Sequence, residues 1–308
     1  MGTPAQNATE TPVMQSVAVI VAAYNAESTI VASVESILLG TTPCHIYVVD
    51  DCSRIPAATA LSHLEDRIEI IRLDQNVGPA AARNIAIDRA IKAGFEFIAI
   101  QDADDISFPT RLEKQIAFMR GHPRVGACGT WTCLLDENLT GAFSPELEAK
   151  AVAVRETKKI GNFGTWTLLF DEQSQRTVHL FSRVTDPKDV RNTMFFNIGL
   201  SHTSAVMRSE ALRKVGLYST DYPAAEDYEL MRRIGTQFDL ANIPECLVHY
   251  RISPGGISQS RRRRQLYDRL MIQVKYFEVT QWRAWVGAAK TLATMVIPRQ
   301  LKDMIRSA

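Results

Sequence analysis

Short apolar runs alternate with helical patterns through the first third of the chain, and this alternation restricts the fold more than any other feature. From Val17 the run VAVIVAA ends at Tyr24 and Asn25, and Ile30, Val34, Ile37 and Leu38 follow at helical spacing up to Gly40. The run HIYVV (His45 to Val49) ends at Asp50 and Asp51, a helical stretch covers Pro56 to Leu64, and IEIIRL (Ile68 to Leu73) reads as a third strand. A helix from about Pro79 to Ala93 leads into FEFIAI (Phe95 to Ile100), which is followed at once by Asp102, Asp104 and Asp105. Repeated strand and helix imply an α/β fold whose sheet is mostly parallel, with right-handed crossovers. Such sheets bind ligands beyond the carboxyl ends of their strands.

Three strands end in polar clusters, at Tyr24 and Asn25, at Asp50 and Asp51, and at Asp102 to Asp105. Taken singly, each has a structural explanation, since Asp, Asn and Ser terminate strands and cap helices, and Pro109 suits a first helical turn. Together on one rim they imply one site. The stretch Asn76 to Asn84 (NVGPAAARN) adds a glycine that permits close backbone approach, a helix start that offers free N–H groups to an anion, and Arg83 as a fixed positive charge. Residues two apart in extended chain project to one side, so Asp102 and Asp104 can share a cation while Asp105 serves the following helix or supports the site from behind. Hard oxygen ligands of this kind favour Mg²⁺ or Mn²⁺ bridging a diphosphate.

Charge excludes other partners. The 308 residues carry 35 Lys plus Arg against 34 Asp plus Glu, so no global basic field recruits nucleic acid. No phosphate-binding G-x-x-x-x-G-K-[ST] loop occurs and no G-x-G-x-x-G follows the first strand, which argues against a P-loop ATPase and a dinucleotide oxidoreductase. No basic-then-apolar leader and no long apolar run is seen, and a cytoplasmic location is expected. The five cysteines, Cys44, Cys52, Cys128, Cys133 and Cys246, lack metal-site spacing and read as reduced structural thiols.

The set Val21 to Asn25, Val48 to Ser53, Asn76 to Asn84 and Asp102 to Asp105 resembles the family 2 nucleotide-sugar glycosyltransferases of the GT-A fold, continuously over roughly residues 17–123. The resemblance implies a Rossmann-like, mostly parallel sheet flanked by helices, a nucleotide-sugar donor (most often a UDP-sugar) and an inverting transfer. It implies that Ala23, Tyr24, Asn25 and Asp51 contact the nucleoside with Arg83 nearby, and that Asp102, Ala103 and Asp104 meet the ribose, diphosphate and metal.

The second half is less regular. Val125 to Leu135 reads as a strand, whereas Asp136 to Asp189 is a long polar region without strong periodicity, expected near the acceptor. Phe195 to Arg208 resembles the segment before the family's catalytic helix, and His202 within it is either a satisfied structural histidine or a substrate contact. Glu226 and Asp227 begin a helix anchored by Tyr228, Leu230, Met231 and Ile234. Early acids favour a helix dipole, but the resemblance makes Asp227 the base that takes the acceptor hydroxyl's proton, with Glu226 as positioner or alternative base. Val248 to Ser258 resembles the family's Tyr-Arg segment, with Ser253 where histidine is usual. Arg251 there either reaches the diphosphate or closes a salt bridge.

Arg261 to Arg264 form the strongest charge run, read as a solvated helix start. Beyond it Trp282, Trp285, Val286, Ala289, Leu292, Ala293 and Val296 recur at helical spacing with Arg283, Lys290 and Arg299 nearby. This stripe is a clasp on the catalytic domain first, and otherwise a membrane or dimer face. The chain therefore divides into a flexible N-terminus (1–15), a nucleotide-sugar-binding half (16–135), an acceptor-side half with the catalytic helix (136–257) and a helical extension (258–308). The expected activity is transfer of a sugar to a hydroxyl of a glycan or lipid-linked acceptor. The alternatives are a nucleotidyltransferase, which wants a basic glycine-rich loop that Ala22 to Glu27 does not supply, and a non-catalytic sugar-nucleotide-binding module.

Overall fold

The computed structural model describes residues 16–135, 165–171, 176–251 and 261–296. The first half follows the repeating unit expected: β1 (Val17–Ala23), α1 (Ile30–Leu38), β2 (His45–Asp50), α2 (Ala57–Ala60), β3 (Glu69–Arg72), α3 (Pro79–Lys92) and β4 (Phe97–Asp102). A two-residue strand β5 (Ile106–Ser107), helix α4 (Arg111–Gly121) and the long β6 (Val125–Leu135) follow. The second half contributes β7 (Thr165–Asp171), β8 (Arg176–Ser182), α5 (Pro187–Thr193), β9 (Val206–Arg208), α6 (Ser209–Val215), α7 (Glu226–Ile234), β10 (Asp239–Arg251), α8 (Arg262–Lys275) and α9 (Trp282–Val296).

The sheet order is β3-β2-β1-β4-β9-β6-β10-β5, with the β7–β8 hairpin attached to β6 through β8. Strands β3, β2, β1 and β4 are parallel, as are β6 and β10, while β9 runs antiparallel between β4 and β6. The apolar runs of β1 and β4 are unbroken because both faces of the sheet are covered. Ala18, Ile20, Ile98 and Ile100 pack toward Ala82 and Ala86 of α3, while Val17, Val19, Phe97 and Ala99 pack toward α1 and α4 through Val34, Ile116 and Met119. The α/β reading therefore holds: the first-half strands β3, β2, β1 and β4 are parallel, and the antiparallel members inserted by the second half make the whole sheet mixed.

Three expectations are corrected. The helix read over Pro56 to Leu64 breaks after Ala60 into a 3-10 turn over Ser62–Arg67. The region from Asp136 to Asp189 holds β7, β8 and the start of α5, elements too short for periodicity to reveal; residues 136–164 lie outside the described residues, as do Ser253 and Arg299. The cysteines are not all reduced: Cys133 on β6 and Cys246 on β10 form a disulfide, with Cα atoms 6.3 Å apart across 113 residues of sequence. Irregular register on either side of Cys246 brings it against its neighbour strand, which spacing alone cannot show. Cys44, Cys52 and Cys128 remain thiols, and burial pushes Cys44 up to about 11 and Cys128 up to about 12.

The C-terminal stripe is also turned around. Ala284, Gly287 and Thr291 form the face of α9 that packs inward, while Trp282, Trp285, Val286, Leu292 and Val296 face solvent. A Cβ on Gly287 would lie 2.1 Å from the Phe195 carbonyl oxygen, so small side chains let the helix approach closely and leave the large ones outside. Among the described residues no helix is long and apolar enough to cross a membrane.

Candidate active site

Parallel pairing brings the three polar strand ends to one rim: Ala23 of β1 aligns with Asp50 of β2, and Ala22 with Asp102 of β4. At the first end Ala23 is buried, Tyr24 is 56% exposed, and Asn25 adopts a left-handed φ of 51°. That conformation is held by two bonds: Asn25 N–H donates to Ser53 Oγ (3.0 Å), and Arg54 N–H donates to Asn25 Oδ1 (2.8 Å). Cys52, after the second strand, is also left-handed at φ 61°. Two non-glycine residues in this sparsely populated region at adjacent strand ends mark a backbone shaped against local preference.

The acidic pair after β2 divides its labour. Asp50 is buried and accepts from Ser53 N–H (2.8 Å), Ala57 N–H (2.9 Å) and Arg72, so it caps α2. Burial works to raise its pKa, but these hydrogen bonds outweigh it and hold the carboxyl below its ordinary value. Asp51 faces the other way. Its two oxygens accept Val77 N–H (2.7 Å) and Gly78 N–H (2.9 Å), and Asn76 Nδ2 donates to its carbonyl (3.2 Å), so it shapes the loop that opens α3. Gly78 caps that helix at φ 86°, and Pro79 occupies its first turn.

Arg83, one turn into α3, is 7% exposed and forms the centre of the site. Its Nη2 donates to Asp102 Oδ1 at 2.9 Å and its Nη1 to Glu226 Oε1 at 3.3 Å. The guanidinium fork thus joins the end of β4 to the start of α7, the Glu226 partner lying 143 residues from Arg83 in sequence. Desolvation is the largest influence on Arg83, but Asp102, Tyr218 and Glu226 outweigh it and raise its pKa. Asn84 fixes the loop before α7 from both sides: its Nδ2 donates to Tyr218 C=O (2.8 Å), and Tyr218 N–H donates to its Oδ1 (2.9 Å). The Tyr218 ring lies 5.9 Å from the Arg83 guanidinium carbon, and its hydroxyl bonds to His202 Nε2 at 2.9 Å. His202 is therefore engaged with Tyr218 in this arrangement. Burial first, then Arg83, keeps its pKa below the ordinary value.

Asp102, the last residue of β4, and Asp104, in the turn that follows, are partly exposed, whereas Ala103 and Asp105 are buried; the segment is a turn closed by Asp105 N–H donating to Asp102 C=O (3.2 Å), not the extended chain expected. Asp105 does not serve helix α4, whose first turn has no side-chain cap. Its Oδ1 instead accepts Arg251 N–H from β10 (2.8 Å), while Arg251 Nε donates to Asp104 C=O (3.1 Å). Arg251 thus braces the acidic loop from the adjacent strand. Burial and then Asp102 push the Asp105 pKa well above the carboxylate range, against the Arg251 bond.

Behind the loop lies a buried polar network with no periodic signal in the sequence. Arg111, 1% exposed, donates to Gln101 Oε1 (2.6 Å), Ile100 C=O (2.7 Å) and Gln115 Oε1 (3.1 Å), and Gln101 Nε2 donates to Asp105 C=O (2.7 Å). Desolvation lowers the Arg111 pKa to about 10 although Asp105 and Asp102 oppose it. This brace fixes the backbone that carries Asp102 and Asp104.

Glu226 and Asp227 sit in the first turn of α7. Burial, with Asp227 next to it, raises the Glu226 pKa to about 7 despite Arg83. Asp227 Oδ1 accepts its neighbour's Tyr228 N–H (2.7 Å), and its charge acts on two half-buried cations, Arg183 just after β8 and Arg269 of α8. A cavity of about 580 Å³ beside the other end of α7, lined by Lys188, Arg191, Arg232 and Glu278 among others, contains none of these carboxylates. Among the described residues no cluster of three or more His, Cys, Asp or Glu forms a ready metal cage. Two partly exposed carboxylates nevertheless suit Mg²⁺ or Mn²⁺, which is commonly held by one or two carboxylates together with substrate phosphates.

Residues 18–216, more than half of the chain, match the protein family described as glycosyl transferase family 2. The chain belongs to that family. An uncharacterized glycosyltransferase of Haemophilus influenzae is 30% identical over 244 residues, which is 77% of this chain and 65% of the relative. A UDP-Glc:alpha-D-GlcNAc-diphosphoundecaprenol beta-1,3-glucosyltransferase of Escherichia coli is 35% identical over 138 residues, 44% of this chain and 54% of the relative. The chain thus spans somewhat less than two thirds of these relatives' length. The mannosyltransferase of Pyrobaculum calidifontis, solved with GDP-Man and Mn²⁺, superposes with a TM-score of 0.57 at 16% identity, over 94% of this chain and 78% of that one. This family 2 member accordingly has the GT-A fold.

Tyr218, Asn84, Arg111 and Gln101 went unassigned from sequence. Asn84 and Tyr218 lay inside recognised segments, so their positions were visible and their partnership was not. Arg111 resembles any helix-start cation until its burial is known.

Proposed function

We propose that this family 2 member is an inverting, metal-dependent glycosyltransferase. It moves a sugar from a nucleoside-diphosphate donor, UDP-linked in the first instance, to a hydroxyl of a glycan or lipid-linked acceptor in polysaccharide assembly. The observation that supports this best is the Arg83 fork, which brings Asp102 and Glu226 onto opposite sides of one guanidinium. Residues 16–135 would supply the donor side and 136–257 the acceptor side, and a nucleotide-sugar donor would place the reaction in the cytoplasm. The E. coli relative's name carries both a UDP-sugar and a diphospholipid-linked acceptor, and the P. calidifontis structure carries a nucleotide sugar with Mn²⁺.

In this reading Tyr24 offers its exposed ring to the base, with Asn25 and Asp51 shaping the surrounding backbone. Asp102 and Asp104 would hold the metal, which when bound offsets the charge of the leaving diphosphate. Arg83 would keep its positive charge beside the diphosphate. Asp227 accepts the acceptor hydroxyl's proton as that oxygen attacks the anomeric carbon, while Glu226, held by Arg83, positions the helix start. The test is product release from a panel of nucleotide sugars with Mn²⁺ or with a chelator. Asp227→Asn should reduce turnover by at least about a hundredfold, a general-base contribution, while nucleotide binding persists. Unchanged turnover in that variant, or no release from any donor, overturns the assignment.

A further inference from the structure

Helix α9 presents its large apolar side chains to solvent and its small ones to the protein. Trp282 is 60% exposed, Trp285 59% and Val296 81%, with Val286 and Leu292 also exposed, while Ala284, Gly287 and Thr291 are buried. At about 100° per residue these five exposed apolar positions fill an arc of about 120° with no polar side chain inside it; exposed Met295 lies beyond one edge, and Lys290 and Arg283 border the other. This orientation follows from close packing. The helix backbone lies against the Phe195 carbonyl at Gly287, and Gln273 Nε2 of α8 donates to that same oxygen at 2.9 Å. A helix rotated to bury its tryptophans would lose that approach.

Charge and size choose the occupant. Residues 261–296 hold eight Arg and Lys against two acids, Asp268 and Glu278, in a chain whose net charge is +1. Helix α9 has no acid, and Asp268 already pairs with Arg264 at 2.7 Å. A second copy of the chain would bring the same excess of cations to the contact. It would also bury too little: a third of the surface of a helix about 22 Å long and about 11 Å wide is roughly 250 Å², against about 800 Å² per partner in a standard interface. A bilayer needs no complementary shape, receives tryptophan at its interface, and attracts cations when its lipids are anionic.

We infer that α9 docks this protein onto an anionic lipid surface, lying flat with Trp282, Trp285 and Leu292 in the interface and Arg283 and Lys290 at the headgroups. The inference extends the lipid-linked acceptor proposed above, and its assay contains neither donor nor acceptor, so each can fail without the other.

The test is flotation of the full chain with vesicles of phosphatidylcholine alone and of phosphatidylcholine containing phosphatidylglycerol, together with the variants W282S/W285S and R283Q/K290Q. Trp282, Trp285 and Lys290 are exposed and Arg283 is half-buried, and circular dichroism checks that both variants fold. The parent should float with the anionic vesicles. W282S/W285S should lose at least about tenfold in partitioning, and R283Q/K290Q should weaken binding and flatten its salt dependence. A parent that stays unbound, a tryptophan variant that floats like the parent, or equal binding to neutral vesicles overturns the inference. So does a concentration-dependent dimer in sedimentation velocity that W282S/W285S abolishes without any vesicle binding, which would give the face to a second copy.

Discussion

Replacing Glu226 with glutamine should stabilise the metal-free protein above neutral pH and leave its stability almost unchanged in acid. Glu226 has a pKa raised from its ordinary 4.5 to about 7, because burial and the adjacent Asp227 outweigh the attraction of Arg83. A carboxyl whose folded pKa lies above its unfolded one binds its proton more tightly in the fold. Its contribution is present in full below pH 4.5 and is lost as pH rises through about 7. At about 1.4 kcal/mol per pH unit that loss is about 3 kcal/mol. Glutamine keeps an acceptor oxygen for Arg83 Nη1 and carries no charge to desolvate. Thermal denaturation in chelator should therefore give equal midpoints for parent and Glu226→Gln near pH 4. By pH 8 the variant should melt higher by about 6 °C, at roughly 2 °C per kcal/mol for a chain of this size. Parallel curves across that range, or a variant less stable at pH 8, would refute the reasoning and make the Arg83–Glu226 pair a net stabiliser. The same substitution separates stability from function, since a site that holds a costly charge at working pH does so against the fold.

Arg83→Lys should raise the donor KM and lower kcat/KM by at least about tenfold, because one ammonium cannot bridge Asp102 and Glu226 as the planar fork does; parental kinetics would remove Arg83 from the centre of the site. Gly287→Ala should destabilise by about 2 kcal/mol in urea denaturation. The new methyl would lie 2.1 Å from a backbone oxygen, and that overpacking outweighs the better helix propensity of alanine. An unchanged midpoint would show that α9 shifts freely.

The rim of the sheet was legible because β1, β2 and β4 are buried on both faces, so their apolar runs are uninterrupted and their polar ends conspicuous. Asp102 and Asp104 stand out in sequence by their spacing, although β4 ends at Asp102 and Asp104 lies in the turn that follows. Arg251 was visible in sequence, but its partner was not, since it braces Asp104 and Asp105 from a strand far along the chain. The Cys133–Cys246 pair was hidden for the same reason, and the irregular register of β10 concealed it further.

What the amino-acid sequence determined by itself is what local periodicity and residue chemistry carry: the α/β repeat, the polar strand ends, the acidic pair at the start of α7 and the apolar stripe of α9. Tertiary structure decided which of these meet. Arg83 joins Asp102 to Glu226, Asp50 turns inward to cap α2 while Asp51 shapes the loop before α3, and α9 shows its tryptophans to solvent. Periodicity names the faces of a helix or strand but not the neighbour each face will meet. Only close packing, here the approach of Gly287 to the Phe195 carbonyl, settles which face is left outside.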